Sequence, residues 1–294
     1  MTKSGFIAIT GRPNTGKSTL LNAIIGKKIA IVSYKPQTTR GRITGILTQG
    51  DCQLVFTDTP GIHKPKTKMS EEMVACAGNV ISDCDLSLLV VEPRLPGDIE
   101  KKIINDFKKS DIPAILVVNK TDTVKSADLL PVITEYTALY DFKEVVPLSA
   151  LKKENIGTLI DILKDYTEEG PFYYPEDMET DTDDPTFICE IIREKMLKLI
   201  DEEIPHGVAV ETVTYEDGTK LLKCGVNIYC ERESHKKIII GKNGELIKKI
   251  GTLSREELEK KHGKKVFLDL WVKVKPDWRN NPARIKSFKI GDYL

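Results

Sequence analysis

The chain has 294 residues, long for one domain and enough for two, each with a core of its own. Hydrophobic residues make up 40% and charged residues 30%, a globular balance, and no run nears the eighteen or so apolar residues of a membrane span. The 44 basic and 44 acidic residues cancel in sum but not in place, which excludes a uniformly basic or acidic protein.

From the start, "MTKSG" runs directly into the apolar segment "FIAIT" at 6, so no secretory leader is expected. Further short apolar runs follow: "LVFTD" at 54, "LSLLVVE" at 86, "AILVVN" at 114 and "EVVPLS" at 144. Amphipathic stretches such as 69–82 and 98–109 alternate with them. Near-continuous apolar strands separated by helices predict a mostly parallel sheet covered on both faces, an α/β domain over 1–167. Ligands on such sheets bind beyond the carboxyl ends of the strands.

Residues 168–184, "EEGPFYYPEDMETDTDD", hold eight acidic residues and no basic one, the composition of a linker. The remainder, 185–294, reads as an α+β domain. A helix over 186–203 precedes two strands, 208–215 and 221–230, with "EDG" as their turn. Helices at 234–240 and 245–262 flank "GKNG", and "KVFLDLWVKV" at 265–274 alternates as a one-faced strand. From its apolar neighbours in this strand Trp271 is expected in the core, whereas Trp278 fits either core or surface. From Arg232 onward 17 Lys+Arg stand against 8 Asp+Glu, a net of +9 that suits a polyanion. Six cysteines (52, 76, 84, 189, 224 and 230) lack any C-x-x-C pair, which predicts reduced thiols and a cytoplasmic protein without disulfide frame or zinc site.

The first domain carries the chemistry. Gly11, Arg12, Pro13, Asn14, Thr15, Gly16, Lys17, Ser18 and Thr19 follow a strand and open a helix in the pattern G-x-x-x-x-G-K-[ST]. Glycines turn backbone N–H groups toward phosphates, Lys17 reaches the β- and γ-phosphates, and the Ser18 hydroxyl ligates Mg²⁺. "DTPG" at 58–61 ends another strand: Asp58 is placed to hold Mg²⁺ through water, Thr59 and Pro60 follow, and the Gly61 N–H can sense the γ-phosphate. "NKTD" supplies Asn119, Lys120 and Asp122. The Asp122 carboxylate can accept both N–H groups of guanine, which adenine would leave unpaired, so GTP is expected over ATP. "SAL" supplies Ser149, Ala150 and Leu151, where a backbone N–H can meet the guanine carbonyl. At the position where Ras-like proteins carry a water-orienting glutamine stands Ile62, followed by His63, so slow intrinsic hydrolysis is expected.

These four motifs in order resemble the translation-factor-related GTPases. "KPQTTRGRITGI" at 35–46, "DTPGIHKPK" and the C-terminal layout are similar to the Era family of bacterial ribosome-assembly GTPases, over essentially the whole chain. The resemblance implies that Thr39 is the switch threonine meeting Mg²⁺ and the γ-phosphate, though the residues alone leave Thr38 open. It also implies that Asn14 binds K⁺ in place of an arginine finger, against the plainer reading of a turn-stabilising asparagine. Lys17, Asn14, Thr39 and Gly61 are thus the catalytic candidates, and Ser18, Thr39 and Asp58 the metal candidates.

"GKNG" lacks the spacer and the Ser/Thr of a phosphate loop, and Glu245 follows it, which argues against a second triphosphate site. Two helices joined by G-x-x-G beside three strands match a KH module of the bacterial, type II order, which clamps about four nucleotides of single-stranded nucleic acid. Gly241 and Gly244 allow close approach, Lys242 adds charge beside Asn243, and Lys236, Lys237, Lys248 and Lys249 extend the basic surface. The resemblance names the RNA as the 3′ end of small-subunit ribosomal RNA, with a role in assembling that subunit and a peripheral contact to the inner face of the cell membrane left open. The alternatives are a GTPase of tRNA modification, and an RNA chaperone whose G domain is a passive nucleotide sensor.

Overall fold

The computed structural model describes residues 1–62, 65, 67–201 and 204–291. The chain forms two compact units, one running from Met1 to Asp181 apart from Thr67–Met69 and including Gly291, the other over Thr182–Ile290 and including Thr67–Met69.

In the first unit the elements run β1 (Lys3–Thr10), α1 (Lys17–Ile25), β2 (Ile43–Gln49), β3 (Cys52–Asp58), α2 (Lys68–Ser82), β4 (Leu86–Val91), α3 (Asp98–Ser110), β5 (Ala114–Val118), α4 (Leu129–Leu139), β6 (Glu144–Pro147), α5 (Ile156–Asp165) and β7 (Glu168–Glu169). The sheet order is β2-β3-β1-β4-β5-β6. Strands β3, β1, β4, β5 and β6 are parallel; β2 is an antiparallel edge strand that the motif reading did not anticipate.

Every residue of β4 and β5 is buried, as strands sandwiched between helices require. Their side chains sort by period two. Ile7, Ile9, Leu88, Val90, Ile115 and Val117 face one core with Leu20, Leu21, Leu159 and Leu163. Leu89, Val91, Leu116 and Val118 face the other with Ile103, Phe107 and Tyr136. Truncating one of these leucines or isoleucines to alanine would cost about 2–5 kcal/mol, through lost apolar burial and the cavity left behind.

The acidic stretch expected as a linker belongs to this unit as far as Asp181. β7 pairs with β1, and the buried Gln53 amide binds the backbone of Tyr173 and Tyr174. Tyr173 stacks on Phe6 with ring centroids 4.7 Å apart. Composition signalled a linker, but backbone pairing and one buried amide hold the segment down.

The second unit contains α6 (Asp184–Leu199), β8 (Ala209–Asp217), β9 (Leu221–Cys230), α7 (Glu233–Ile240), α8 (Glu245–His262), β10 (Lys265–Val274) and α9 (Pro282–Ser287). Asp183 caps α6 through the Thr186 N–H at 2.8 Å. β8 and β9 form an antiparallel hairpin and β10 joins β9 in parallel, giving the order β10-β9-β8. Lys195 of α6 bonds to Glu194 and reaches Glu257 of α8, so the buried charges are paired. Trp278 is fully buried, its Nε1–H donating to the Gly207 carbonyl at 3.0 Å. Trp271, expected in the core, is 59% exposed. The reason is parity: Val266, Leu268, Leu270 and Val272 take the covered side of β10, and Trp271 has the opposite parity.

Candidate functional site

In the first unit the loop between β1 and α1 is bent by backbone that only glycine tolerates. A Cβ on Gly11 (φ 144°) would lie 2.4 Å from the Val90 carbonyl oxygen, and one on Gly16 (φ 94°) 2.3 Å from Asn119 Nδ2. Asn14 also takes positive φ, at 67°. The Lys17 ammonium folds over the loop, donating to the carbonyls of Gly11 (3.1 Å) and Arg12 (3.0 Å). Burial lowers its pKa to about 8, and the charge of Asp58 only partly offsets this.

Three oxygen-bearing side chains converge beside it. Ser18 Oγ donates to Asp58 Oδ2 at 2.6 Å and lies 2.9 Å from Thr39 Oγ1, which donates to the same carboxylate oxygen at 3.2 Å. Asp58 is fully buried, and its Oδ1 has no hydrogen-bond partner. Burial raises its pKa against the pull of Lys17, Ser18 and Thr39. A hard-oxygen set with an unsatisfied carboxylate oxygen suits Mg²⁺ completed by phosphate and water. Thr38, the other switch candidate, donates to the Lys35 carbonyl at 2.6 Å.

The base-side loops are tied to this loop. Asn119 Nδ2 donates to the Thr15 carbonyl at 2.8 Å, while its Oδ1 accepts from the Lys120 and Ala150 N–H groups at 2.8 and 2.9 Å. Ser149 Oγ donates to Asp122 Oδ1 at 2.6 Å, orienting the carboxylate expected to read guanine. Lys120 Nζ donates to the Asn14 carbonyl at 2.7 Å.

The resulting cavity, 570 Å³, is lined by Pro13, Asn14, Gly16, Lys17, Ser18, Thr19, Thr39, Gly61, Asn119, Lys120, Asp122 and Leu151 among others. Gly11, Arg12, Thr15, Thr59, Pro60, Ser149 and Ala150 support it without lining it. Thr59 turns inward to the Ile9 carbonyl, at 3.0 Å. The Arg12 side chain leaves the loop for Glu92, at 2.7 Å. Glu92, which also accepts from Lys120 Nζ at 2.5 Å, was missed by motif reading. The available signal was an acidic residue directly after β4, at the carboxyl edge of the sheet.

Ile62, in the glutamine position, is 5% exposed and belongs to the buried apolar cluster that also holds Ala77, Leu89 and Ile104. Its N–H donates to the Gly11 carbonyl at 3.2 Å. His63 lies outside the described residues. Among the described residues no three His, Cys, Asp or Glu side chains form a metal cluster of their own.

The second unit carries the other expected site. α7 ends at Gly241 (φ 77°), whose N–H donates to the Lys237 carbonyl at 2.9 Å. A Cβ there would meet Leu246 Cβ at 2.7 Å, whereas Gly244 (φ 78°) has open space around it and needs glycine for its backbone alone. Asn243 adopts φ 52° between them. Lys237, Lys242, Lys248 and Lys249 are exposed and Lys236 half-buried. None of the five has an ion-pair partner among the described residues. Unneutralised lysines around a turn that admits close backbone approach are what a phosphate chain requires of a binding surface.

Residues 6–120 match the family model of the 50S ribosome-binding GTPases, and residues 203–279 match the KH domain. The chain is 49% identical over 289 residues to GTPase Era of Ruminiclostridium cellulolyticum, covering 97% of this chain and 96% of that one. It is 48% identical over 298 residues to GTPase Era of Clostridioides difficile, covering 99% and 100%. Among solved structures, Aquifex aeolicus Era bound to GDP·AlF₄⁻ superposes with a TM-score of 0.95 at 38% identity, covering 99% and 100%. Era in complex with MgGDPNP and nucleotides 1506–1542 of 16S ribosomal RNA gives the same score, identity and coverage.

Proposed function

The chain belongs to the Era family of GTPases and hydrolyses GTP, and on that premise we propose that it couples GTP turnover to a grip on the 3′ region of small-subunit ribosomal RNA during assembly of that subunit. The observation that carries this reading is the full-length likeness to the Era complex holding both MgGDPNP and 16S nucleotides 1506–1542. The free lysines around Gly241 and Gly244 support it, because they supply the charge a ribose-phosphate chain requires.

We assign the triphosphate to the loop Gly11–Thr19, with Lys17 at the β- and γ-phosphates and the Gly61 N–H at the γ-phosphate. Mg²⁺, when bound, offsets charge on the phosphate oxygens, and Ser18, Thr39 and, through water, Asp58 would hold it. Asp122 reads guanine, aided by a backbone N–H of the turn 149–151. GTP orders the loops around 33–42 and 58–68, and hydrolysis releases them.

Asn14 is assigned to K⁺. Its Nδ2 donates to the Tyr34 carbonyl at 2.6 Å, so the amide and a loop carbonyl already face each other beside the phosphate loop. Turning the amide would offer a cation two oxygens. Equal turnover in KCl and NaCl at matched ionic strength, for wild type and Asn14→Ala alike, would remove this role.

The RNA reading is tested by crosslinking in cells and sequencing the bound RNA, with Gly241→Asp and Gly244→Asp as controls. Recovery of the small-subunit 3′ end, lost in both variants, is expected; recovery of tRNA instead would overturn the assignment. Single-turnover hydrolysis with and without RNA separates a coupled switch from a passive sensor. Six free thiols suit a reducing cytoplasm. No described helix is long and apolar enough to cross a membrane; contact with the membrane's inner face is a separate expectation, checked by flotation with anionic vesicles.

A further inference from the structure

The open side of the second unit's sheet carries aromatic surface that the GKNG turn does not use. Along β10 the outward residues are Lys265, Phe267, Asp269, Trp271 and Lys273, all exposed. Phe267 and Trp271 are each 59% exposed, on the edge strand of the sheet. Elsewhere on this side Tyr229 is covered by Phe288, so the sheet could have been closed here and was not. The Trp271 Nε1–H donates to Asp269 Oδ2 at 2.8 Å, which pins the indole by its polar edge and leaves its ring surface open.

Of the described acidic groups on this face Glu216 is neutralised by a cation, whereas Asp269 and Glu211 accept from neutral donors and keep their charge. Asp269 holds Trp271, Glu216 pairs with Lys223 at 3.2 Å, and Glu211 accepts from Tyr229 at 2.8 Å. Lys273 has no ion-pair partner among the described residues. The face therefore offers chiefly ring surface, with Lys273 as an unpaired cation at its end, and ring surface binds unpaired nucleotides by stacking.

Its position relative to the turn follows from α8. Glu259 accepts from the Val266 N–H at 3.2 Å, and a methyl on Gly251 would lie 3.4 Å from Leu270, so α8 runs antiparallel along β10. Gly244 lies seven residues before Gly251, about 10 Å along the helix axis. Lys273 lies three residues beyond Leu270, about 10 Å along the strand. The GKNG turn and Lys273 are thus level, on opposite sides of the same edge strand. A nucleic-acid strand leaving the turn meets Lys273 at the edge, then Trp271, then Phe267 about 13 Å further along.

We propose that the open face of β10 is a second RNA-contact surface, on which Trp271 and Phe267 stack unpaired bases adjoining those held at the GKNG turn. This rests on the reading of the second unit as RNA-binding.

The chain has only two tryptophans and Trp278 is fully buried, so emission accessible to an aqueous quencher belongs to Trp271. Full-length protein is titrated with an oligoribonucleotide matching nucleotides 1506–1542 of 16S ribosomal RNA, reading RNA anisotropy and tryptophan emission in parallel. Binding is expected to quench Trp271 and shield it from acrylamide. Trp271→Ala should weaken binding about 10-fold and Trp271→Phe far less, both with unchanged salt dependence, since a stack carries no charge. Lys273→Ala should instead lower the salt slope by about one. RNA that binds by anisotropy without altering Trp271 emission or sensitivity to Trp271→Ala overturns this inference and leaves the RNA reading intact. Failure of the RNA to bind overturns both. Emission that responds to GDP–GTP exchange but not to RNA would assign the face to a protein contact and overturn it equally.

Discussion

Lys120 Nζ lies 2.5 Å from Glu92 Oε1, and the other oxygen of the same carboxylate lies 2.7 Å from Arg12 Nη2. One side chain at the end of β4 therefore clamps the loop after β1 to the loop after β5. Burial would raise the Glu92 pKa, but hydrogen bonds from Lys120 and Arg12 outweigh it and hold the group below its usual value. The resulting stability is full above the unfolded carboxylate value and is lost as pH falls through the lowered one.

Glu92→Gln keeps the shape but removes the charge that both cations need. Guanine-nucleotide affinity should fall about 10-fold, on the scale of one lost charge-assisted hydrogen bond. With Arg12→Ala the losses should be strongly non-additive, because the two residues share one interaction. Nucleotide Kd across the double-mutant cycle measures this, and simple additivity would mean that the clamp is not a unit.

Lys17 gives the pH dependence. Its pKa is about 8 against an ordinary 10.5, so between these values the unfolded chain holds more protons than the folded one. The cost of burying the charge is full below pH 8 and is relieved as pH rises. Nucleotide binding runs the other way, since phosphates favour the charged lysine. GDP should be bound without proton uptake at pH 7 and with uptake approaching one proton at pH 9, its affinity falling up to tenfold per pH unit above 8. Calorimetric titration in buffers of different ionisation enthalpy reads the proton count directly; no uptake at pH 9 would contradict the assignment.

Ile62→Gln tests whether a glutamine in the sequence position of the Ras residue would do its work. Ile62 is buried within an apolar cluster, so the new amide would be placed in apolar surroundings. We expect a loss of about 1–3 kcal/mol in stability and no gain in single-turnover GTP hydrolysis. An accelerated rate would show that residue 62 can reach the attacking water.

Much of this was legible because the motif residues fix local geometry by themselves. Glycines at 11 and 16 announce a loop no other residue permits, and the run of buried aliphatics in β4 and β5 announces a sheet covered on both faces. What was not legible depended on long-range partners. Trp271 has apolar neighbours in sequence, and only the parity of β10 against its helices turns it outward. Glu92 carries no motif, and its partners are 80 residues before it and 28 after it. The acidic stretch reads as a linker because composition does not record that Gln53, over a hundred residues earlier, binds its backbone.

That last contact also sets where the first unit can be cut. Gln53 is fully buried; its Oε1 accepts from the N–H groups of Tyr173 (2.9 Å) and Tyr174 (3.0 Å), and its Nε2 donates to the Tyr174 carbonyl (2.9 Å) and to Thr48 Oγ1 (3.1 Å). Gln53→Ala leaves three backbone groups without a partner and opens a hole behind β3. A cost of about 2–4 kcal/mol is expected, with the midpoint of urea unfolding as its measure. A chain ending at Thr167 loses the same contacts together with the pairing of β7 on β1, whereas one ending at Asp181 keeps both. The shorter chain should therefore unfold at lower urea and bind GDP more weakly at 37 °C. Limited proteolysis of the wild type should spare residues 168–181 and cut Gln53→Ala within them. Equal stability of the two truncated chains would return the segment to the role of a free linker.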